Sequence, residues 1–144
     1  QHVVQRDMRS GHLPELPVKT LEGEAVASLL AKKTTIIYFW GSWCGICEAI
    51  SGTINAVFQD YSGVSVALRS GDDADIQTYL QAHQLAWPVI NDNDGQLAES
   101  FGVSAVPAVF VVAPDGYIVF STLGYVTEIG LRARLWWVSM DFRW

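Results

Sequence analysis

The chain has 144 residues, of which 50% are hydrophobic and 17% are charged, and its formal net charge at pH 7 is −6. This length and apolar content suffice for one sizeable core, which predicts a single domain. The acidic balance provides no basic footprint for phosphates, so we expect no nucleic-acid partner. No run approaches the roughly 18 apolar residues that cross a bilayer.

The first part of the chain predicts a short hairpin and then a central strand. Residues 1–15 form an expected lead-in segment to a domain over residues 16–144. A turn signal at Glu22-Gly23, set between apolar residues, predicts a hairpin over residues 16–26. The following run Thr35–Trp40 is rich in β-branched and aromatic residues and too short for a helix. It predicts a strand that is buried on both faces.

The only two cysteines of the chain, Cys44 and Cys47, follow this strand directly. Apolar residues then recur at helical spacing, which places both cysteines at a strand-to-helix junction. Cys44 is expected near the helix N-terminus and Cys47 one turn further along. The helical face comprises Ile46, Ile50, Ile54, Val57, Phe58 and Tyr61.

The rest of the chain predicts further strands and helices in alternation. We expect a strand through Val64, Val66 and Leu68, a helix from Asp72-Asp73, a brief helix over residues 96–101, a hairpin of residues 108–113 and 117–122, and a last helix from Thr127. The helix from Asp72-Asp73 presents Ile76, Tyr79, Leu80 and His83, and the last presents Leu131, Leu135, Val138 and Phe142. A strand, a crossover helix and a parallel strand form the right-handed unit of α/β proteins.

The spacing of the cysteines suits a redox disulfide. Cα atoms of bridged cysteines lie about 4.4–6.8 Å apart, a separation that the first turn of a helix supplies. The N–H groups and positive dipole end of the helix favour a thiolate at Cys44. Cys44 is therefore the expected attacking thiolate and Cys47 the resolving thiol. Trp43 is expected to shield the pair and to offer an apolar contact surface.

Other interpretations of these residues compete with redox chemistry. A structural disulfide closing so short a loop gains little stability. Metal binding needs more ligands than one cysteine pair supplies, so we assign no metal site. His2, His12 and His83 are far apart in the sequence and would add ligands only if the fold brought them together. The acidic run over residues 91–95 is expected to be a solvated turn, and His83 a half-buried structural histidine. The aromatic tail, comprising Trp136, Trp137, Phe142 and Trp144, is attributed to helix packing rather than to a membrane interface.

Residues 39–47, Phe-Trp-Gly-Ser-Trp-Cys-Gly-Ile-Cys, resemble the signature of the thioredoxin superfamily. The resemblance continues at Trp87-Pro88-Val89, at residues 102–107 and at residues 114–116. It implies a thioredoxin-like α/β fold, in which helices flank a central mixed β-sheet with an N-terminal hairpin and a central insertion. It also implies that Pro107 is a cis-proline beside the cysteines and that the backbone of Val106 pairs with an extended substrate segment.

The hairpin and insertion are the layout of the TlpA/ResA-type extracytoplasmic branch of that superfamily. This branch includes cytochrome c maturation reductases and suppressor-of-copper-sensitivity (ScsD-like) proteins, which the chain resembles most. The resemblance implies a periplasmic, monomeric reductase of oxidised protein substrates, without a cofactor, recharged by a DsbD-like membrane electron donor. We expect an N-terminal membrane anchor that this chain lacks. A copper-binding or copper-delivery module using the same thiols is the alternative.

Two departures from the thioredoxin pattern leave the redox direction open. Tyr38 stands where thioredoxins carry a buried aspartate, so that proton-handling group is missing. Asp72 or Asp73 is positioned either to replace it or to cap the next helix. The dipeptide Gly45-Ile46 lacks the proline of the thioredoxin motif. Reduction potentials of proteins with this type of cysteine pair span about 150 mV. These two sequence departures therefore leave open whether the protein acts as an oxidant or as a reductant. Most members of the branch that the chain resembles act as reductases, so the resemblance favours a reductase.

Overall fold

A computed structural model of the chain describes residues 8–140. Its elements are β1 (Gly11–His12), α1 (Val26–Leu30), β2 (Thr35–Trp40), α2 (Gly45–Asp60), β3 (Ser62–Leu68), α3 (Asp73–His83), β4 (Val89–Asp92), α4 (Gln96–Ser100), β5 (Ala108–Val112), β6 (Tyr117–Leu123) and α5 (Glu128–Ser139). The strands form one six-stranded mixed sheet in the order β1-β6-β5-β2-β3-β4, flanked by helices as predicted. Strands β2, β3 and β4 run parallel, whereas β5 is antiparallel to both β2 and β6.

Strand β2 lies at the centre of the sheet, and all six of its residues are buried, as the sequence predicts. Alternate residues of a strand point to opposite faces, so β2 contributes to two cores. Tyr38 and Trp40 belong to the core under α2, α3 and α5, which also contains both cysteines. Ile37 and Phe39 belong to the core under α1 and α4. The strand that leads to the cysteines is therefore fixed from both sides.

The predicted N-terminal hairpin is present only as a single antiparallel bridge between Lys19 and Ala25. The turn itself forms, with Gly23 in the left-handed region, but α1 begins at Val26 and ends the strand pairing. This turn covers the outer edge of β4, because Leu21 N donates to Val89 O at 2.7 Å. The lead-in segment adds β1 to the sheet through pairing with β6. The domain boundary at residue 16 stays a prediction.

Helix α5 packs through the apolar residues that its spacing predicted. Thr127 caps its N-terminus, and Leu131, Leu135 and Val138 are buried. The attribution of the aromatic tail to packing stays a prediction for the two tryptophans of this helix, since Trp136 is 55% and Trp137 44% exposed. Phe142 and Trp144 lie outside the described residues. Among helices within residues 8–140, none has the length and apolar character of a membrane span.

The acidic run over residues 91–95 is not simply a solvated turn. Asp92 ends β4 and is only 4% exposed. Its carboxylate accepts hydrogen bonds from Leu97 N and Ala98 N, each at 2.9 Å, in the first turn of α4. A buried carboxylate therefore supplies two acceptors to N–H groups that a helix start leaves unsatisfied. The sequence could not distinguish Asp92 from its solvated neighbours because the run is uniformly polar.

We expect Asp92→Ala to destabilise the protein by about 1–3 kcal/mol, because two buried N–H groups lose their acceptor. Urea unfolding of the oxidised protein measures the change. Asp94→Ala is the matched control, since Asp94 is exposed and accepts one bond from Gln96 N at 3.1 Å. Equal losses in the two variants would contradict the structural role given to Asp92.

Candidate active site

The loop between β2 and α2 places both cysteines at the start of a helix. Cys44 is the N-cap residue of α2, in extended conformation, and its sulfur accepts a hydrogen bond from Cys47 N at 3.1 Å. The two cysteines form a disulfide, with their Cα atoms 5.2 Å apart. The sulfur of Cys44 thus takes the position that a serine or aspartate oxygen occupies in an ordinary N-cap. The predicted placement of both cysteines is confirmed.

The two sulfurs differ in their surroundings. Cys44 is 9% exposed, whereas Cys47 is 2% exposed and lies deeper in the core under α2. The N–H donor and the helix dipole both favour a negative charge on Cys44. An incoming group meets Cys44 first, and Cys47 is shielded from solvent. This asymmetry suits an attacking sulfur and a resolving sulfur.

The loop before β5 brings a backbone carbonyl to the disulfide. The Val106-Pro107 peptide bond is cis, as the resemblance implies. The sulfur of Cys44 lies 3.8 Å from the carbonyl oxygen of Val106. Val106 is partly buried and contacts both cores. The structure therefore brings Val106 and Pro107 next to the redox pair, although the sequence separates them from it widely.

Trp43 and Ile46 form an exposed apolar surface beside the disulfide, with 58% and 50% of their areas exposed. The indole Nε1 of Trp43 donates to Leu68 O at 3.0 Å, at the end of β3. The ring also lies against Gly41, where a Cβ atom would come 2.6 Å from the indole. Trp43 is thus held in a defined orientation while its ring stays accessible.

A buried serine that the sequence did not single out forms hydrogen bonds that hold the loop between β2 and α2. Ser70 Oγ accepts from Ser42 N at 2.9 Å and donates to Leu68 O at 3.0 Å. Ser70 is only 7% exposed. It therefore connects the backbone just before Cys44 to the end of β3. No sequence motif marks Ser70, because one serine after a strand is common in any fold.

Tyr38 is completely buried where thioredoxins carry an aspartate. Its ring packs edge-on against Trp87, with the ring centroids 5.3 Å apart. Within the described part of the chain its hydroxyl has no hydrogen-bond partner. Desolvation by burial, with a smaller contribution from Tyr79, raises the pKa of Tyr38 far above its ordinary value. The hydroxyl therefore stays protonated and cannot act as a base.

Asp72 and Asp73 have structural partners. Asp72 accepts from Asp75 N at 2.8 Å in a capping box at the start of α3, and Asp73 accepts from Asn91 Nδ2 at 2.8 Å. These contacts match the capping alternative. His83 is half-buried and stacks on Tyr79, with a centroid distance of 4.1 Å, as expected of a structural histidine. Residues 8–140 contain no group of three metal-ligating side chains, and His2 lies outside that range.

Comparison with known proteins places this geometry in a family. The AhpC/TSA family matches residues 11–121. A "Thioredoxin-like protein" of Haemophilus influenzae is 34% identical over 139 residues, which cover 94% of this chain and 83% of the relative. "Thiol-disulfide oxidoreductase ResA" of Bacillus thuringiensis is 28% identical, over 85% of this chain and 73% of the relative.

Solved structures show the same fold. A secreted thiol-disulfide isomerase from Corynebacterium glutamicum superposes with a TM-score of 0.78 at 18% identity, covering 90% of this chain and 86% of that one. StoA from Bacillus subtilis gives a TM-score of 0.71 at 24% identity, over 83% of this chain and 98% of the other. The finer resemblance to suppressor-of-copper-sensitivity proteins stays a prediction. The chain belongs to the AhpC/TSA family and is a thiol-disulfide oxidoreductase with a thioredoxin-like fold.

Proposed function

We propose that this protein reduces disulfides of partner proteins, with Cys44 as the attacking thiolate and Cys47 as the resolving thiol. The observation that carries the proposal is the position of Cys44, whose Sγ accepts a hydrogen bond from the helical N–H of Cys47 and which is the more exposed of the two cysteines. A sulfur in that position is stabilised as an anion before any partner arrives. The thiolate is the form that attacks disulfides.

The reaction consists of two exchanges. The Cys44 thiolate attacks one sulfur of the partner's disulfide, forming a mixed disulfide and releasing the partner's other sulfur as a thiolate. Cys47 then loses its proton to that thiolate and attacks Cys44, which releases the partner's second sulfur as a thiolate. That thiolate takes up a proton from solvent, so the partner becomes a dithiol. The two electrons gained by the partner come from the cysteine pair, which ends as the Cys44–Cys47 disulfide seen in the structure.

The surface around Cys44 supports a protein substrate. Trp43 and Ile46 offer exposed apolar area, which favours contact with apolar residues beside the partner's disulfide. The Val106 backbone, adjacent to Cys44 and followed by cis Pro107, is the proposed pairing site for an extended segment of the substrate. Backbone pairing of this kind gives affinity with little dependence on sequence.

The proposed setting is the periplasm, with an N-terminal anchor to the inner membrane and a DsbD-like membrane protein as electron donor. The structurally similar thiol-disulfide isomerase from Corynebacterium glutamicum is a secreted protein, which supports an extracytoplasmic setting. Cytochrome c maturation or copper tolerance is the proposed process, and the protein is proposed to act as a monomer. Copper delivery by the same thiols stays the alternative, which a Cu(I) titration of the reduced protein tests.

We expect Cys47→Ala to accumulate mixed disulfides through Cys44, because the attack proceeds and its resolution cannot. Incubation with a disulfide-bonded client protein, followed by mass spectrometry of the adducts, measures the yield. Cys44→Ala is the matched control and should trap at least tenfold less, since Cys47 is buried. Equal trapping by the two variants would reverse or remove the assigned roles, and trapping by neither would refute the exchange.

We expect Ser70→Ala to lower the exchange rate roughly two- to tenfold, because the loop that carries Trp43 and Cys44 loses one of its two hydrogen-bonded connections to the end of β3. Ser62→Ala is the control, since Ser62 Oγ makes a comparable bond to Leu29 O at 2.6 Å, at the opposite end of β3. Stopped-flow measurement of Trp fluorescence during exchange gives the rates. If both variants slow exchange equally, Ser70 has only a general stabilising role.

A further inference from the structure

Helix α5 is apolar on two opposite faces. Its inner face packs into the core through Leu131, Leu135 and Val138. Its outer face carries a second apolar row at the spacing that places residues on one side of a helix. This row, the α5 stripe, consists of Ile129, Ala133, Trp136, Trp137 and Met140, the last of which is the C-cap residue. A helix with apolar residues on opposite faces is normally covered on both, so the stripe indicates a contact surface for another molecule.

The α5 stripe is exposed along its whole length. Its four large side chains are close to half exposed or more: Ile129 at 84%, Trp136 at 55%, Met140 at 49% and Trp137 at 44%. If each such side chain has a full area of about 150–250 Å², the exposed apolar area is on the order of 500 Å². A continuous patch of this size lies near the upper end of what soluble monomers leave in water, and such patches often have a function.

The order of large and small residues along the stripe favours a second copy of this chain as the occupant. In a two-fold pair, a contact from residue i to residue j is accompanied by the reverse contact from j to i. When two α5 helices cross antiparallel at the middle of the stripe, Trp136 of each copy lies opposite Ala133 of the other, and Ile129 lies opposite Met140. Each large ring thus meets a small side chain, which permits close packing. A parallel pair would instead place Trp136 against Trp136.

The exposed area is sufficient for such a pair. Two stripes of on the order of 500 Å² each bury about 1,000 Å² in total, which is the lower bound expected of a specific interface. We therefore expect a reversible dimer with a dissociation constant in the micromolar range, and not an obligate dimer.

Charge favours a second copy over a lipid surface. The stripe contains no charged residue, so pairing two stripes buries no charge. A helix that lies on a bilayer normally presents a polar face rich in Lys and Arg opposite its apolar face. The face of α5 opposite the stripe is apolar and buried, and the Arg132 guanidinium is bound to Asp60 and Glu128. The net charge of −6 also repels an anionic bilayer.

We propose that two copies of this chain associate through the α5 stripe as an antiparallel two-fold pair. Helix α5 begins on the side of the disulfide, because Gly124 N donates to Pro107 O at 2.8 Å and the adjacent Val106 O lies 3.8 Å from Cys44 Sγ. Antiparallel pairing therefore places the two disulfides at opposite ends of the pair and leaves both accessible. Exchange remains the reaction of each single copy, so the association goes beyond the proposed function.

Sedimentation velocity of the oxidised protein from about 1 to about 300 µM tests the association. We expect a monomer at the lowest concentration and a dimer at the highest. Ala133→Glu should weaken dimerisation at least about tenfold, because it places an unpaired charge opposite Trp136. Ala82→Glu is the matched control, since Ala82 is an exposed alanine of α3, and it should dimerise like the parent. Both variants should exchange disulfides at the parent's rate.

A pair of opposite charges tests the antiparallel register. Ile129→Lys and Met140→Glu should each weaken dimerisation at least about tenfold, because each alone buries an unpaired charge. The double variant should dimerise at least about threefold more tightly than either single variant, because the two charges meet between copies. Within one copy these positions are separated by about three helical turns and cannot pair.

Three results would overturn the proposal. The first is a parent that remains monomeric up to about 300 µM, or equal dimerisation by Ala133→Glu and Ala82→Glu. The second is failure of the double variant to dimerise more tightly than the single variants, which would exclude the antiparallel pair. The third is a monomer that binds phosphatidylglycerol vesicles and loses this binding in Ala133→Glu, because a lipid surface would then be the occupant of the stripe.

Discussion

The proposed chemistry of this protein depends on one hydrogen bond, from the backbone N–H of Cys47 to the sulfur of Cys44. An N-cap acceptor is normally an oxygen, and its role is to satisfy a free N–H group of the first helical turn. Here a sulfur takes that role, so the contact that begins α2 also directs an N–H group at the proposed attacking sulfur. Helix formation and the proposed reactivity are thereby linked at Cys44, because whatever holds the first turn of α2 also holds this sulfur.

The rest of the fold fixes the position of that sulfur. Strand β2 is buried on both faces and hydrogen-bonded on both edges. The loop between β2 and α2, which carries Cys44, therefore begins at a rigid element. Ser70 and Leu68 then attach the loop to the end of β3. The cis Val106-Pro107 loop approaches from the start of β5, a neighbour of β2. Three adjacent strands thus converge on one disulfide, which accounts for a defined site in a short chain.

Local sequence patterns were sufficient for most of the fold. The apolar run of β2, the helical spacing after Cys44 and the turn between β5 and β6 each predicted an element that the structure contains. The redox pair was found for the same reason, since two cysteines three apart after a strand have a specific geometry. The position of Val106-Pro107 beside the pair came from a family resemblance and not from spacing.

Features that depend on tertiary contacts could not be predicted. Ser70 binds the loop between β2 and α2 only because the end of β3 lies beside that loop. Nothing near Ser70 in the sequence indicates this contact. Asp92 looks like its polar neighbours, yet the fold buries it under the start of α4. Trp136 and Trp137 are large apolar residues, a type that usually packs against the core, but both remain about half exposed. In each case burial is a property of the assembled sheet and helices.

The edges of the sheet have a consequence for association with other chains. A long, bare outer strand recruits other chains by β-pairing and leads to aggregation. One outer strand here, β1, has only two residues, and the other, β4, has four. The backbone of β4 is further blocked, because Leu21 N donates to Val89 O and Val89 N donates to Glu22 Oε1 at 3.4 Å. The β4 side therefore offers little free backbone for β-pairing, whereas on the other side β1 pairs only with Tyr117 and Ile118 of the seven residues of β6.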